Sequence, residues 1–438
     1  MSDKRAGCRV FVKNFGCSSN VADGEFMAGC LLEAGFKVVD SVEEADVLVY
    51  NTCAVKTPTE NRIVEMMKRV GAKKDKWLLV TGCLPLVNLE RLKTEVDYDG
   101  VLGTGLGYHI VEAVDRVLRG DHVHSWTGKN EEKTCLDLPR LATNPVVSIV
   151  PISQGCLGSC SYCCVVSARG RLCSYGLDEV ADRIERDLDS GAREVWLTGQ
   201  DAGCYGKDIG VDLLDLLRRV CRIRREFLVR VGMMTPNFAL DLLPELVEAF
   251  QDEHVFKFIH LPVQSGDDDV LKRMNRRYRV EDFRRIVAAF RESIPDITLS
   301  TDVICGFPGE SDEAFEHTLQ LIDDAKPDVV NISKFFPRPK TPAEKMGPKV
   351  PSLQVSTRSK KITGLVKHIA SEKNRAWMGW KGPVLLDERG KQPNSLIGRN
   401  FAYKPMVVKS DDLSLLGSFT NVHVTKTFQT YLEAEIVS

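Results

Sequence analysis

Gly155-Cys156-Leu157-Gly158-Ser159-Cys160-Ser161-Tyr162-Cys163 is the stretch whose reading decides the rest of the chain. Three cysteines stand in a C-x-x-x-C-x-x-C spacing, with an aromatic residue just before the third. That spacing lets a loop fold back until three thiolates converge on one point. Thiolates select zinc, Cu(I) or iron–sulfur clusters. A structural zinc wants four protein ligands. An iron–sulfur cube also has four corners, each usually held by a cysteine. Three thiolates therefore leave one iron of a cube open to a substrate. A zinc loop or redox-sensitive surface thiols are the alternative chemistry for the same residues.

The 438 residues allow for domains of ~150 residues each, about three in all. The apolar fraction of 43% is ample for a large core. Lys plus Arg (59) nearly balance Asp plus Glu (61), and the net charge of -2 gives no global attraction to a polyanion. Any nucleic-acid surface must be local. The chain holds 14 cysteines. Met1 to Arg5 run towards a short strand rather than an apolar signal segment, and no run approaches ~20 apolar residues. The cysteines are therefore read as metal ligands rather than disulfides, and the cytoplasm is the expected compartment.

Upstream, residues 1–125 alternate strand and helix by apolar runs and period. Strands are expected at Cys8–Val12, Asp46–Tyr50 and Trp77–Val80, and helices at Val21–Ala34, from about Pro58 to Val70, and from near Pro85. This is a small α/β domain with a mainly parallel sheet. Cys17, Cys53 and Cys83 each fall just past the carboxyl end of one of these strands. Ligands bind at that edge of an open parallel sheet, and nearby helix N-termini are expected to favour the thiolate. Three such placements point to a second three-cysteine site. Cys8, Cys30 and Cys135 share no such placement and are read as structural.

Residues 126–144 are read as a linker, and 145–340 repeat strand–helix units. Strands are expected at Val146–Ile152, Glu194–Thr198, Leu228–Met233, Phe256–Val263, Ile297–Ile304 and Asp328–Lys334. Six units suggest an open (β/α)6 barrel, with its chemistry at the carboxyl ends of the strands. Polar and glycine residues gather there. Gly199 allows close backbone approach to a ligand, followed by Gln200 and Asp201. Gln264 closes the fourth strand, and Asp302 precedes Gly306 on the fifth. His260 is read as a satisfied core histidine.

Three prolines in Phe336 to Pro342 mark a boundary. Residues 352–375 read as a basic helix, either a solvated face or a set of phosphate contacts involving Arg358, Lys360, Lys361, Lys367, Lys373 and Arg375. From residue 376 short β-rich runs suggest a small barrel: Pro383–Leu386, Tyr403–Val408, Phe419–Lys426 and Tyr431–Glu435. Arg399, Lys404, Lys409 and Lys426, with Phe401 and Tyr403, are candidates for backbone and stacking contacts to RNA.

The cysteine loop resembles the cluster loop of the radical S-adenosylmethionine superfamily. The resemblance implies that Cys156, Cys160 and Cys163 hold a [4Fe–4S] cluster whose open iron chelates the methionyl group of S-adenosyl-L-methionine. Cys163 keeps the family register behind Tyr162, ahead of its neighbours Cys164 and Cys173. Asn14-Phe15-Gly16-Cys17-Ser18-Ser19-Asn20, Asn51-Thr52-Cys53 and Thr81-Gly82-Cys83 resemble the amino-terminal domain of methylthiotransferases. There the three cysteines would hold a second [4Fe–4S] cluster that carries the inserted sulfur. By the same analogy Tyr162, Gly199, Gln200, Gln264, Asp302 and Gly306 contact S-adenosylmethionine. Gln200 and Asp201 would meet its amino group, and Asp302 a ribose hydroxyl. Arg171 stands where many relatives have an acidic residue, so no carboxylate role is carried over.

Gly232-Met233-Met234-Thr235-Pro236 resembles the Met-Met-Asn-Pro segment of the archaeal and eukaryotic subgroup acting on N6-threonylcarbamoyladenosine in tRNA, with Thr235 in place of Asn. The segments Ser300–Glu310 and Asn331–Phe335 fit that subgroup too. The carboxyl-terminal barrel resembles the TRAM domain, an RNA-binding module. The whole then implies an α/β enzyme, a tRNA methylthiotransferase. A deoxyadenosyl radical would remove hydrogen from C2 of the adenine beside the anticodon, sulfur would bond there, and a further S-adenosylmethionine would methylate it. The anticodon stem-loop is the expected partner, with an unidentified electron donor and sulfur source, no membrane, and a monomeric chain. The isopentenyl nucleoside and ribosomal protein S12 are rival substrates that the Met-Met-Thr-Pro segment disfavours. An iron–sulfur RNA-binding protein without turnover is the rival of another class.

Overall fold

Alternation of buried strands and amphipathic helices carries through the fold. The computed structural model describes residues 5, 7–71, 75–125 and 134–437. The first four residues and the linker segment 126–133 lie outside the described residues. In the amino-terminal sheet, β1 (Arg9–Asn14), β2 (Lys37–Val38), β3 (Val47–Thr52), β4 (Trp77–Gly82), β5 (Gly100–Leu102) and β6 (Val123–Ser125) stand in the order β2-β1-β3-β4-β5-β6. All the pairings are parallel. Every residue of β3 is buried, because helices cover both faces of such a sheet.

The second unit begins with β7 (Val147–Pro151), followed by the short β8 (Ser153–Gln154) and β9 (Cys173–Ser174). β10 (Glu194–Thr198) pairs with β7 on one side and β11 (Leu228–Val231) on the other in one parallel sheet, while β12 (Phe258–His260), β13 (Thr298–Cys305) and β14 (Val329–Lys334) form another. A parallel bridge between Val229 and Val255 links the two. Six strands lie where they are expected, arranged as an open barrel, although β12 keeps only Phe258–His260 of the expected Phe256–Val263 and β11 ends at Val231. Its core runs from Val150 and Val195 through Ile259 and Leu299 to Ile362 on the long helix Ser352–Arg375.

The carboxyl-terminal unit is a closed barrel of β15 (Lys381–Arg389), β16 (Ser395–Arg399), β17 (Pro405–Lys409), β18 (Phe419–Thr427) and β19 (Leu432–Ile436), in the order β15-β16-β17-β19-β18. Sequence reading finds four of these strands. β16 escapes because its five residues follow the turn Gln392-Pro393-Asn394 and include a glycine.

Several residues expected to meet RNA or phosphate are instead tied into packing and ion pairs. The Tyr403 ring lies 4.8 Å from Phe256 and 4.9 Å from Phe258, and its hydroxyl is 3.1 Å from Glu194 Oε1. Arg399 packs 4.8 Å from the Tyr403 ring and pairs with Asp387 at 3.3 Å. Lys404 Nζ donates to Asp328 at 2.7 Å. Tyr403 and Lys404 dock the small barrel on the central one, Arg399 braces Tyr403 from within the small barrel, and only Lys404 is fully buried. Arg358 likewise clamps Glu310 at 2.6 Å and Asp312 at 2.7 Å, seating its helix. Lys409 and Lys426, more than half exposed, and the partly exposed Phe401 keep the expected accessibility.

Candidate functional site

The cysteine loop leaves the barrel after β7 and is tied at its base. Ser153 pairs with Ser174 and Gln154 with Cys173, so Cys173 belongs to a strand pair. Gly155 has φ +71°, and a Cβ there would lie 2.1 Å from the Arg171 carbonyl oxygen. Only glycine fits. Each sulfur of the trio meets an N–H. Gly158 N donates to Cys156 Sγ at 3.1 Å, Val165 N to Cys163 Sγ at 3.4 Å, and Arg276 Nη1 to Cys160 Sγ at 3.2 Å. Cys164 instead turns towards the Ala54 carbonyl, 3.5 Å away, within the amino-terminal core.

This donor set suits a cluster better than a single ion. Thiolates about 2.3 Å from one tetrahedral zinc stand roughly 3.8 Å apart. Among the described residues the trio does not form a set whose sulfurs all lie within 4.8 Å of one another. A Cβ on Gly158 would sit 3.2 Å from Cys156 Sγ and 3.8 Å from Cys160 Sγ, so the bare backbone forms a cradle between the two sulfurs. A [4Fe–4S] group, with its wide sulfur spacing, fits these residues. Burial pushes the Cys163 thiol up to about 12. Cys156 goes the other way, held low chiefly by a hydrogen bond from Cys204.

A cavity of about 170 Å³ opens over this loop. The three cysteines, Tyr162, Gln200 and Gln264 all line it. Gln200 Nε2 donates to Ser19 Oγ at 3.2 Å, while its Oε1 is buried with no partner. Asp201 is a hub for the wall: it accepts from Thr235 Oγ1 at 2.6 Å, Thr235 N at 3.1 Å and Gly203 N at 3.1 Å. Burial raises its carboxyl against those bonds. Gly199 and Gly306 lie outside the cavity lining. A Cβ on Gly199 would meet Ser153 Oγ at 2.9 Å, and one on Gly306 would meet Val355 at 2.3 Å, so both serve packing.

A second cavity shares Tyr162, Cys163, Val165 and Gln264 with the first. Its far wall is Val55 and Lys56, immediately beyond Cys53 and Ala54. Asp302 lies here, not in the first cavity. It accepts from Asn331 Nδ2 at 2.8 Å and lies 3.0 Å from His260 Nε2. Burial raises the Asp302 carboxyl, but the contacts to His260 and Asn331 outweigh it and hold the group below its usual value. His260 thus faces the cavity and is not a core histidine.

The other trio meets at the carboxyl edge of the amino-terminal sheet. Cys17 precedes helix Ser18–Glu33, Cys53 follows β3, and Cys83 opens helix Cys83–Val87. Gly16, at φ +101°, brings the first loop so close that a Cβ would lie 2.8 Å from Cys53 Sγ, a second cradle suited to a cluster. Cys83 Sγ is 3.7 Å from Asn20 Oδ1. Arg169 Nη2 donates to the same Asn20 oxygen at 2.6 Å. Burial pushes Cys83 up to about 12 despite the attraction of Arg169. Sequence reading gives no role to Arg169, Arg276 and Cys204 and sets His260 aside as a core histidine, because their contacts are made with residues far away in the chain. Arg169 alone stood close, in Arg169-Gly170-Arg171.

Known proteins align with both halves of this geometry. The family profile of the radical SAM superfamily matches residues 150–322, and that of the uncharacterised family UPF0004 matches 9–103. The chain is 42% identical to the "Probable threonylcarbamoyladenosine tRNA methylthiotransferase" of Pyrococcus abyssi, over 98% of this chain and 100% of that one. It is 34% identical to the threonylcarbamoyladenosine tRNA methylthiotransferase of Homo sapiens, over 98% of this chain and 74% of that one. Among solved structures, a radical S-adenosylmethionine methyltransferase from Kitasatospora setae shares the fold at TM-score 0.56 and 15% identity, over 77% of this chain and 74% of that one. With two cysteine cradles on one continuous scaffold and relatives that match nearly the whole of this chain, the chain belongs to the threonylcarbamoyladenosine tRNA methylthiotransferase family.

Proposed function

We propose that this chain converts N6-threonylcarbamoyladenosine, beside the anticodon of tRNA, to its 2-methylthio derivative. The observation that carries the reading is the second cavity. It touches Cys163 on one side and Val55-Lys56, just beyond Cys53, on the other. A base lodged there would touch Cys163 of one trio and the segment that follows Cys53 of the other, as suits a reaction using a radical and a sulfur. Cys156, Cys160 and Cys163 would hold one [4Fe–4S] cluster, and Cys17, Cys53 and Cys83 another. Bound there, the clusters and S-adenosylmethionine supply the electron, the radical that takes hydrogen from C2, the sulfur and the methyl group.

The chain's own residues orient and enclose. Gln200 lines the first cavity, and its buried, unpartnered Oε1 is an acceptor that would suit the methionyl ammonium. Gln264 and Tyr162 lie where the two cavities meet and would position the nucleoside of the cofactor against the target base. The small barrel offers Lys409, Lys426 and Phe401 to the stem-loop.

The test is anaerobic. The protein is reconstituted, its iron and sulfide are counted, and it is incubated with reductant, S-adenosylmethionine and tRNA bearing the threonylcarbamoyl nucleoside. Nucleoside mass spectrometry should find a gain of one methylthio group, with about two clusters per chain. Deoxyadenosine without modified tRNA would move the substrate elsewhere. Neither product, from protein with both clusters intact, would leave a binding protein.

A further inference from the structure

We infer that Lys56 and Lys334 together read the carboxylate of the threonylcarbamoyl group, so that the second cavity selects an anionic N6 substituent. This rests on the proposed function and adds the group that confers its substrate choice.

Four strongly charged side chains line that cavity: Lys56, Asp302, Lys334 and Arg338. Two are already engaged. Arg338 pairs with the buried Glu60 and donates to Thr57 Oγ1 at 3.3 Å. Asp302 is held by His260 and Asn331. Lys56 and Lys334 are exposed, and among the described residues neither forms an ion pair with a carboxylate. The one side-chain hydrogen bond of Lys334 is a long one, 3.4 Å to Ser356 Oγ.

The two lysines come from opposite walls. Lys56 stands just before helix Thr57–Gly71 of the amino-terminal domain, and Lys334 ends β14 of the barrel. Val55, Phe335 and Phe336 give the same cavity an apolar lining on which a base can lie. Lys56 adds its charge to the groups that hold Asp302 low, without closing an ion pair with it. An apolar bed with two ammonium groups outside any ion pair at its edge suits a flat ring carrying one anionic tail. Threonylcarbamoyladenosine has such a tail, whereas unmodified and isopentenyl adenosine have none. A backbone phosphate offers the same oxygen chemistry, so the test must separate the two anions.

The full chain, prepared anaerobically, is titrated against three labelled anticodon stem-loops with fluorescence anisotropy as readout. One carries threonylcarbamoyladenosine, one its carboxamide, and one unmodified adenosine. The wild type should bind the carboxylate form about tenfold or more tighter than the carboxamide, as a charge-assisted hydrogen bond allows. Lys56→Met and Lys334→Met should each shrink that ratio, and the double variant should bring it near one, with affinity for the carboxamide RNA unchanged. Lys→Gln at both positions should behave alike.

A wild-type ratio near one overturns the inference, as does a ratio that survives in the double variant. An equal loss for all three RNAs would assign the lysines to backbone phosphate and also overturn it. Thiolation is followed in parallel. Discrimination without methylthio product would sink the catalytic reading alone, and product without discrimination would sink this inference alone.

Discussion

Arg169 and Asp23 form an ion pair across two domains: Nη2 lies 2.7 Å from Oδ2, with 5% and 8% of the side chains exposed. Arg169 ends the helix that follows Cys163, and Asp23 lies on the helix that follows Cys17. One guanidinium therefore joins the backbones that carry the two cysteine trios.

Arg169→Ala should destabilise the protein by about 3–5 kcal/mol, because it strands a buried carboxylate. Denaturant unfolding of the reconstituted protein reads the loss. The paired change Arg169→Met with Asp23→Leu should recover most of it, since an apolar pair leaves no charge unmatched.

The two trios should separate by product. Cys160→Ala is expected to abolish deoxyadenosine formation. Cys53→Ala is expected to keep that cleavage and lose thiolated tRNA. Liquid chromatography of both products decides; full cleavage in the first variant, or normal thiolation in the second, removes that ligand assignment.

The packed and exposed residues of the small barrel should behave differently. Tyr403→Ala opens the aromatic dock on Phe256 and Phe258, costing about 3–5 kcal/mol. Limited proteolysis should then cut between the barrels. Lys426→Ala should leave protease resistance intact and lower the slope of log affinity against log salt by about one.

Acid sensitivity should follow Asp302. Its folded carboxyl is held below the ordinary value, so its contribution to stability is present above about pH 4 and fades as pH falls through the folded value. Asn331→Ala removes one of the groups that hold it low. The carboxyl should rise towards its ordinary value, and the midpoint of acid unfolding should move to higher pH. An unmoved midpoint would mean that Asp302 is not held by that contact.

Much of this architecture is legible in sequence because it is written at short range. Cys156, Cys160 and Cys163 declare themselves by spacing, and Cys17, Cys53 and Cys83 by standing just past strands. The packing of Arg399, Tyr403 and Lys404 is not legible, since a docking face and an RNA face have the same composition. Only the partners, Glu194, Asp328 and Asp387, tell them apart, and those lie on other elements. Gly199 and Gly306 show the converse. A glycine after a strand reads as room for a ligand, yet here the room is taken by Ser153 and Val355. His260 and Arg276 reach their sites from strands and loops that local pattern cannot connect.

The two-residue pairing of β8 with β9 has a consequence for how the protein comes by its iron. The ends of the cysteine loop are pinned by backbone hydrogen bonds, so the chain need not wait for metal to close that loop. A cage whose ends are set before it is filled can be loaded after synthesis and, when oxygen strips it, loaded again. Iron supply would then govern how much of the folded protein is active, and not how much of it folds.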